Sequence, residues 1–138
     1  MTSTPAARDR VLGTYRELPH GDTAGPSLAD AVRDHPQPDE QRLVAYLRAG
    51  SVIAVAGVGV HDRLSPGREF IAGLDFRTDG SWYWYSDLAH YVERYHVPLD
   101  PRFAAHARGR GWVQPRLSDE ELMRADAVLA ADAGPGDG

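Results

Sequence analysis

The sequence predicts an α+β fold: a short three-stranded antiparallel meander with helices packed on it. Three observations carry that prediction. Phe70 to Tyr85 alternates apolar and polar residues around Thr78-Asp79-Gly80, the pattern of a β-hairpin with an Asp-Gly turn. Ser51 to Ala56 is a run of Val, Ile and Ala bounded by glycines, the pattern of a short strand buried on both faces and a natural neighbour for the hairpin. Capped segments with apolar residues three and four apart precede and follow these strands.

At 138 residues the chain fits one domain, and a domain of this size buries roughly two-thirds of the surface its unfolded chain exposes. That single α+β domain is expected over 27–130. A mostly flexible segment, 1–26, precedes it, with apolar islands at Val11-Leu12 and Tyr15-Leu18. A disordered Gly, Pro and Asp tail, 131–138, follows.

In chain order, Ser27 caps a short helix from Leu28 to about Asp34, which His35-Pro36 stops. Pro38 opens a second helix whose acidic start, Asp39 and Glu40, suits the helix dipole. Leu43, Val44 and Leu47 form its stripe, and Gly50 is its natural C-terminal cap. In the hairpin, a three-residue loop of Thr78, Asp79 and Gly80 would pair Phe76 with Trp82 and Leu74 with Trp84. One face is then uniformly apolar, and the other carries Asp75, Arg77, Tyr83 and Tyr85. Ser86 caps a third helix with Leu88, Tyr91, Val92 and Tyr95 on one side. Asp100-Pro101 starts a fourth that buries Phe103 and Ala107, and Trp112-Val113 adds an edge strand or a packing lid. Ser118-Asp119-Glu120-Glu121 is a capping box for the last helix.

The segment from Thr78 to Trp112, with Thr78-Asp79-Gly80-Ser81-Trp82-Tyr83-Trp84, the helix around Tyr91 and then Val97-Pro98-Leu99 and Phe103, resembles a pattern in small uncharacterised bacterial proteins. It is also loosely similar to immunity proteins of polymorphic toxin systems. The resemblance implies a fold more than a function, and it supplies no catalytic residue.

Composition excludes several kinds of chemistry. There is no cysteine, so disulfides, thiolate metal sites and cysteine nucleophiles are out. All 15 basic residues are arginine, a bias expected of a GC-rich bacterial genome, and the net charge of −5 argues against general nucleic-acid binding. No run approaches the roughly 18 apolar residues of a membrane span, and the first residues lack a signal-peptide core, so a cytoplasmic protein without a membrane partner is expected.

No motif promises a cofactor or a metal. Gly57 and Gly59 begin a dinucleotide-type glycine pattern, but Asp62 stands where its third glycine belongs and no helix follows. The six histidines show no i, i+4 pair. His61-Asp62, in the loop 57–67, is a possible base and orienting acid, although adjacent residues seldom point together. Arg102, Arg108, Arg110 and Arg116 lie in a stretch without an acid, 101–117, and an Arg-Gly-Arg-Gly-Trp sequence has the ingredients of single-strand binding.

The expected function is therefore a non-enzymatic protein-binding domain, immunity- or adaptor-like, that occludes a partner with Asp75, Arg77, Tyr83 and Tyr85 on the outer hairpin face. The alternatives are a small enzyme with a site in the 57–67 loop and a single-strand binder using Arg102 to Arg116. Nothing in the sequence sets the oligomeric state.

Overall fold

A computed structural model describes residues 10–133, with side chains described as far as residue 127. The expectations for 1–9 and 134–138 lie outside the described residues. The elements run α1 (Leu28–Ala31), α2 (Glu40–Arg48), β1 (Ser51–His61), β2 (Phe70–Thr78), β3 (Tyr83–Tyr85), α3 (Leu88–Tyr95), α4 (Pro101–Gly109) and α5 (Asp119–Ala133). The sheet is an antiparallel meander in the order β1-β2-β3, so the fold is α+β.

Helix starts follow local chemistry. Ser27 Oγ accepts from Asp30 N at 3.2 Å, Asp100 Oδ1 accepts from Arg102 N at 2.9 Å, and Ser118 Oγ accepts from Glu121 N at 3.1 Å while Glu121 returns a bond to Ser118 N. Each cap satisfies N–H groups that have no partner inside the helix. Glu17 adds to the first, accepting from Leu28 N at 2.6 Å and Ala29 N at 3.0 Å. The start of α3 differs from expectation. Asp87 stands at its cap position, because Ser86 Oγ is taken by the sheet, accepting from Asp75 N and donating to Gly73 O.

The hairpin register also differs. Thr78 pairs with Tyr83, Arg77 with Trp84 and Phe76 with Tyr85, so neither Phe76–Trp82 nor Leu74–Trp84 forms. The cause is the turn. Asp79 Oδ1 accepts from Ser81 N at 2.9 Å and Trp82 N at 2.8 Å, while Thr78 Oγ1 accepts from Gly80 N and donates to Trp82 O at 2.7 Å. These bonds build a four-residue loop, 79–82, and take Trp82 out of the ladder to pack edge-on against Phe103. Side chains of Thr and Asp that bond local backbone compete with the strand ladder, and here they win over alternation.

Directly paired residues share a sheet face. Trp84, with Arg77, lies on the face of the main core, where Trp84, Tyr46, Leu43, Leu47, Tyr91, Val92 and Phe103 are all buried. Tyr83 lies on the other face, in a smaller cluster with Ala125 of α5 that Val11, Ile53 and Phe76 flank.

Two further expectations change. Leu12, Tyr15 and Leu18 are buried in the main core, so the segment before residue 27 is packed from Val11 onward. Val11 bridges Tyr83 in parallel, and Leu12 N donates to Tyr83 O at 2.8 Å, which covers the β3 edge at Tyr83. β1 is not buried on both faces: it is longer than expected and largely exposed, because it forms the other edge of the sheet. Trp112 does not extend the sheet and instead packs as a partly buried lid on the core.

Gly50 follows the end of α2, and a Cβ there would meet Trp84 Cζ2 at 2.5 Å. Trp84 cannot retreat easily, since its Nε1 donates to Leu47 O at 3.0 Å. We expect Gly50→Ala to cost about 2 kcal/mol by overpacking, read from urea unfolding. Gly73→Ala, whose Cβ meets nothing within 4 Å, should cost far less, and equal losses would show that the Trp84 contact does not matter.

Candidate functional site

The four residues expected to form one binding face are divided by the observed register. Asp75 and Arg77 share the Trp84 face, whereas Tyr83 and Tyr85 follow Phe76 and Thr78 on the opposite one. Arg77 Nε donates to Asp75 Oδ1 at 2.8 Å, and its NH1 donates to Arg48 O at 2.6 Å and Gly50 O at 3.4 Å, fastening β2 to the end of α2. Tyr83 is buried beneath α5. Tyr85 is half-buried between the rings of Phe76 and His20, at centroid distances of 4.5 and 4.6 Å. A single surface bearing all four does not exist in this structure.

The 57–67 loop separates its His from its Asp. His61 stacks edge-on with Phe70, and Asp62 turns inward. The buried Asp62 carboxylate accepts from His90 Nε2 at 2.7 Å, Tyr95 Oη at 2.8 Å, Leu64 N at 2.8 Å and Ser65 N at 3.0 Å. Burial opposes its ionisation, but the bonds from His90, Tyr95 and Leu64 prevail and hold its carboxyl below the ordinary value of 3.8. His61 and Arg63 line a cavity of about 40 Å³ with His20 and Asp87. That space suits a water molecule, not a substrate.

A larger open cleft of about 1050 Å³ lies along α2, lined by Glu40, Arg42, Val44, Arg48, Glu93 and His96 among others. His96 caps the C-terminus of α3 in the left-handed region, φ 57°. Its Nδ1 lies 2.8 Å from buried Glu40 Oε2. A carboxylate only accepts, so Nδ1 carries the proton and Nε2 is the free nitrogen. None of the lining residues has a hydroxyl or thiol to act as nucleophile.

Three of the four arginines between 101 and 117 are engaged within the fold. Arg102 bonds Asp100 and lies 5.5 Å over the Trp82 ring, Arg108 lies 5.7 Å over Trp112, and Arg110 donates to Asp79 O at 3.2 Å. The rings that would stack on bases thus already carry cations. Among the described residues no group of three or more His, Asp or Glu could hold a metal, and no helix is long and apolar enough to cross a membrane.

What sequence reasoning missed is on β1. Val55 is 74 % exposed, Val58 58 % and Val52 40 %, with Phe70 of β2 at 63 %. Val52 lies opposite Arg77 and Val55 opposite Asp75, so two of the four expected residues flank these valines. The signal was present in the charge-free run from Ser51 to Val60, which reads equally as a buried strand or a sticky edge. Comparison with family models, curated proteins and solved structures returns no match.

The Asp62 network makes a pH prediction. A carboxyl ionising lower in the folded than in the unfolded chain contributes stability fully above the unfolded value, near 3.8, and loses it as pH falls through the folded one. Asp62→Asn should cost about 2–3 kcal/mol at pH 6, with the gap from wild type narrowing towards pH 3. A constant gap in urea unfolding across that range would show that the carboxylate charge is not the stabilising feature.

Proposed function

We propose that this chain is a non-enzymatic protein-binding domain, immunity- or adaptor-like, that acts by covering a partner's surface. The docking element is β1, with Asp75 and Arg77 beside it. One observation supports this reading: an edge strand free of charge from Ser51 to Val60 exposes Val52, Val55 and Val58 to solvent.

Edges of this kind are usually blunted with charge or covered, because their unpaired N–H and C=O groups template pairing with another chain. Here the outer side of β1 makes no backbone ladder among the described residues. A partner strand would gain main-chain hydrogen bonds there, while Val52 and Val55 fill its side-chain pockets. The ion pair of Asp75 and Arg77, about one-fifth to one-quarter exposed, would lie at the polar rim that such interfaces keep.

The test is affinity capture from native lysate at two salt concentrations, comparing wild type with Val55→Lys and with Val113→Lys. Val113 is also exposed, at 67 %, and lies outside the sheet. A partner retained by wild type and Val113→Lys at high salt, and reduced at least tenfold by Val55→Lys, is the expected result. Equal retention by all three would remove β1 from the interface.

A further inference from the structure

The geometry points to α5 as a lid that opens as a unit and controls access to the aromatic face of the sheet beneath it. The inference is independent of the β1 docking edge, because it concerns the opposite side of the sheet from Asp75 and Arg77.

The covered face is aromatic and is built without α5. Tyr83 is buried there, and Phe76 lies nearly parallel to it, with ring centroids 6.2 Å apart and an interplanar angle of 16°. Tyr85 meets the same Phe76 ring at 4.5 Å, and Ile53 and Val11 flank the cluster. Backbone pairing holds these residues in place. Thr78 pairs with Tyr83 and Phe76 with Tyr85, Val11 bridges Tyr83, and β1 pairs with β2 on either side of Ile53. Lifting α5 therefore leaves the ladder standing and uncovers a row of the residue types that dominate protein interfaces.

The neighbouring helices are tied down by buried polar bonds. Tyr46 of α2 and His106 of α4 bond Asp79, and His90 of α3 bonds Asp62. Among the described residues α5 has no such tie. Its side chains from 119 to 127 bond only within the helix and its cap, Glu121 with Ser118 and Arg124 with Glu120 at 3.2 Å. Of these side chains Ala125 alone is buried, and none belongs to the main core. An alanine brings little apolar area to a contact.

The chain is anchored just before α5. Gln114 Nε2 donates to Tyr46 O at 2.7 Å, and Leu117 lies so close to Gly80 that a Cβ there would meet its Cδ2 at 3.3 Å. Ser118 follows directly, which places the pivot at residues 117–118. The helix carries stability of its own into an open state. Its capping box satisfies the first N–H groups, three acids occupy its first turn, and the Leu, Met, Arg and Ala that follow are strong helix formers.

Native-state hydrogen exchange on the full chain tests the lid. After correction for intrinsic rates, backbone amides of α5 should exchange about a hundredfold faster than those of α3, or more. Ala125→Asp sets a charge against the covered face. It should raise α5 exchange further and increase binding of the dye anilinonaphthalenesulfonate several-fold, with α3 amides still protected. Met123→Asp, the same change at a site 72 % exposed, should do neither. If α5 amides exchange as slowly as those of α3, or if Ala125→Asp strips protection from α3 as well, α5 is an integral part of the fold and the lid is overturned. Fast α5 exchange in Ala125→Asp without added dye binding overturns it too, since the helix then frays in place and uncovers nothing.

Discussion

The buried carboxylate of Asp79 is the constraint on which the rest of the structure depends. It sits at the hairpin turn with no solvent exposure, where an unpaired charge would cost several kcal/mol. Oδ1 accepts from Ser81 N and Trp82 N, and Oδ2 accepts from Tyr46 Oη at 2.6 Å and His106 Nε2 at 3.0 Å. One side chain thereby shapes the turn and ties it to α2 and α4. Burial, reinforced by the bond to Asp79, raises the Tyr46 pKa, so that hydroxyl stays protonated and remains a donor. Because Ser81 N and Trp82 N turn back to Asp79 Oδ1, the loop takes four residues and the strand register follows from it.

The same device recurs between other elements. Asp62 in the β1–β2 loop meets His90 of α3, and Glu40 of α2 meets His96 at the end of α3. Buried His20 and Asp87 approach to 2.9 Å, although without hydrogen-bond alignment. Polar groups thus join the elements inside, while valines face water on β1. That distribution explains why the binding reading moves to the strand edge. The interior carboxylates are occupied in holding the fold, and the apolar area still available to a partner is outside.

Much of the architecture was legible because it is written locally. Ser27, Asp100-Pro101 and Ser118-Glu121 act within one helical turn of themselves, and the stripe of Leu88, Tyr91 and Val92 states its own burial. The candidate site was legible only in part. Asp75 and Arg77 do lie beside the exposed valines, but Tyr83 and Tyr85 belong to the opposite face. His61 and Asp62 were singled out as neighbours in sequence, yet the partner of Asp62 is His90, which no local pattern indicates.

By itself, then, the sequence determined the α+β class, the order of the main elements and the caps at Ser27, Asp100 and Ser118, since these depend on residues a few positions apart. Tertiary structure decided how the hairpin turn is anchored, through bonds from Tyr46 and His106 to Asp79, whereas the register follows from local bonds of Thr78 and Asp79 that the alternation of apolar residues does not reveal. It also decided that β1 is an edge and not a central strand, because the order is β1-β2-β3, Val11 and Leu12 pair with Tyr83 on the β3 side, and nothing among the described residues extends the ladder beyond β1. The reason is physical. An apolar, charge-free strand satisfies a core and an interface equally well, and only the order of strands in the sheet determines which of the two it meets.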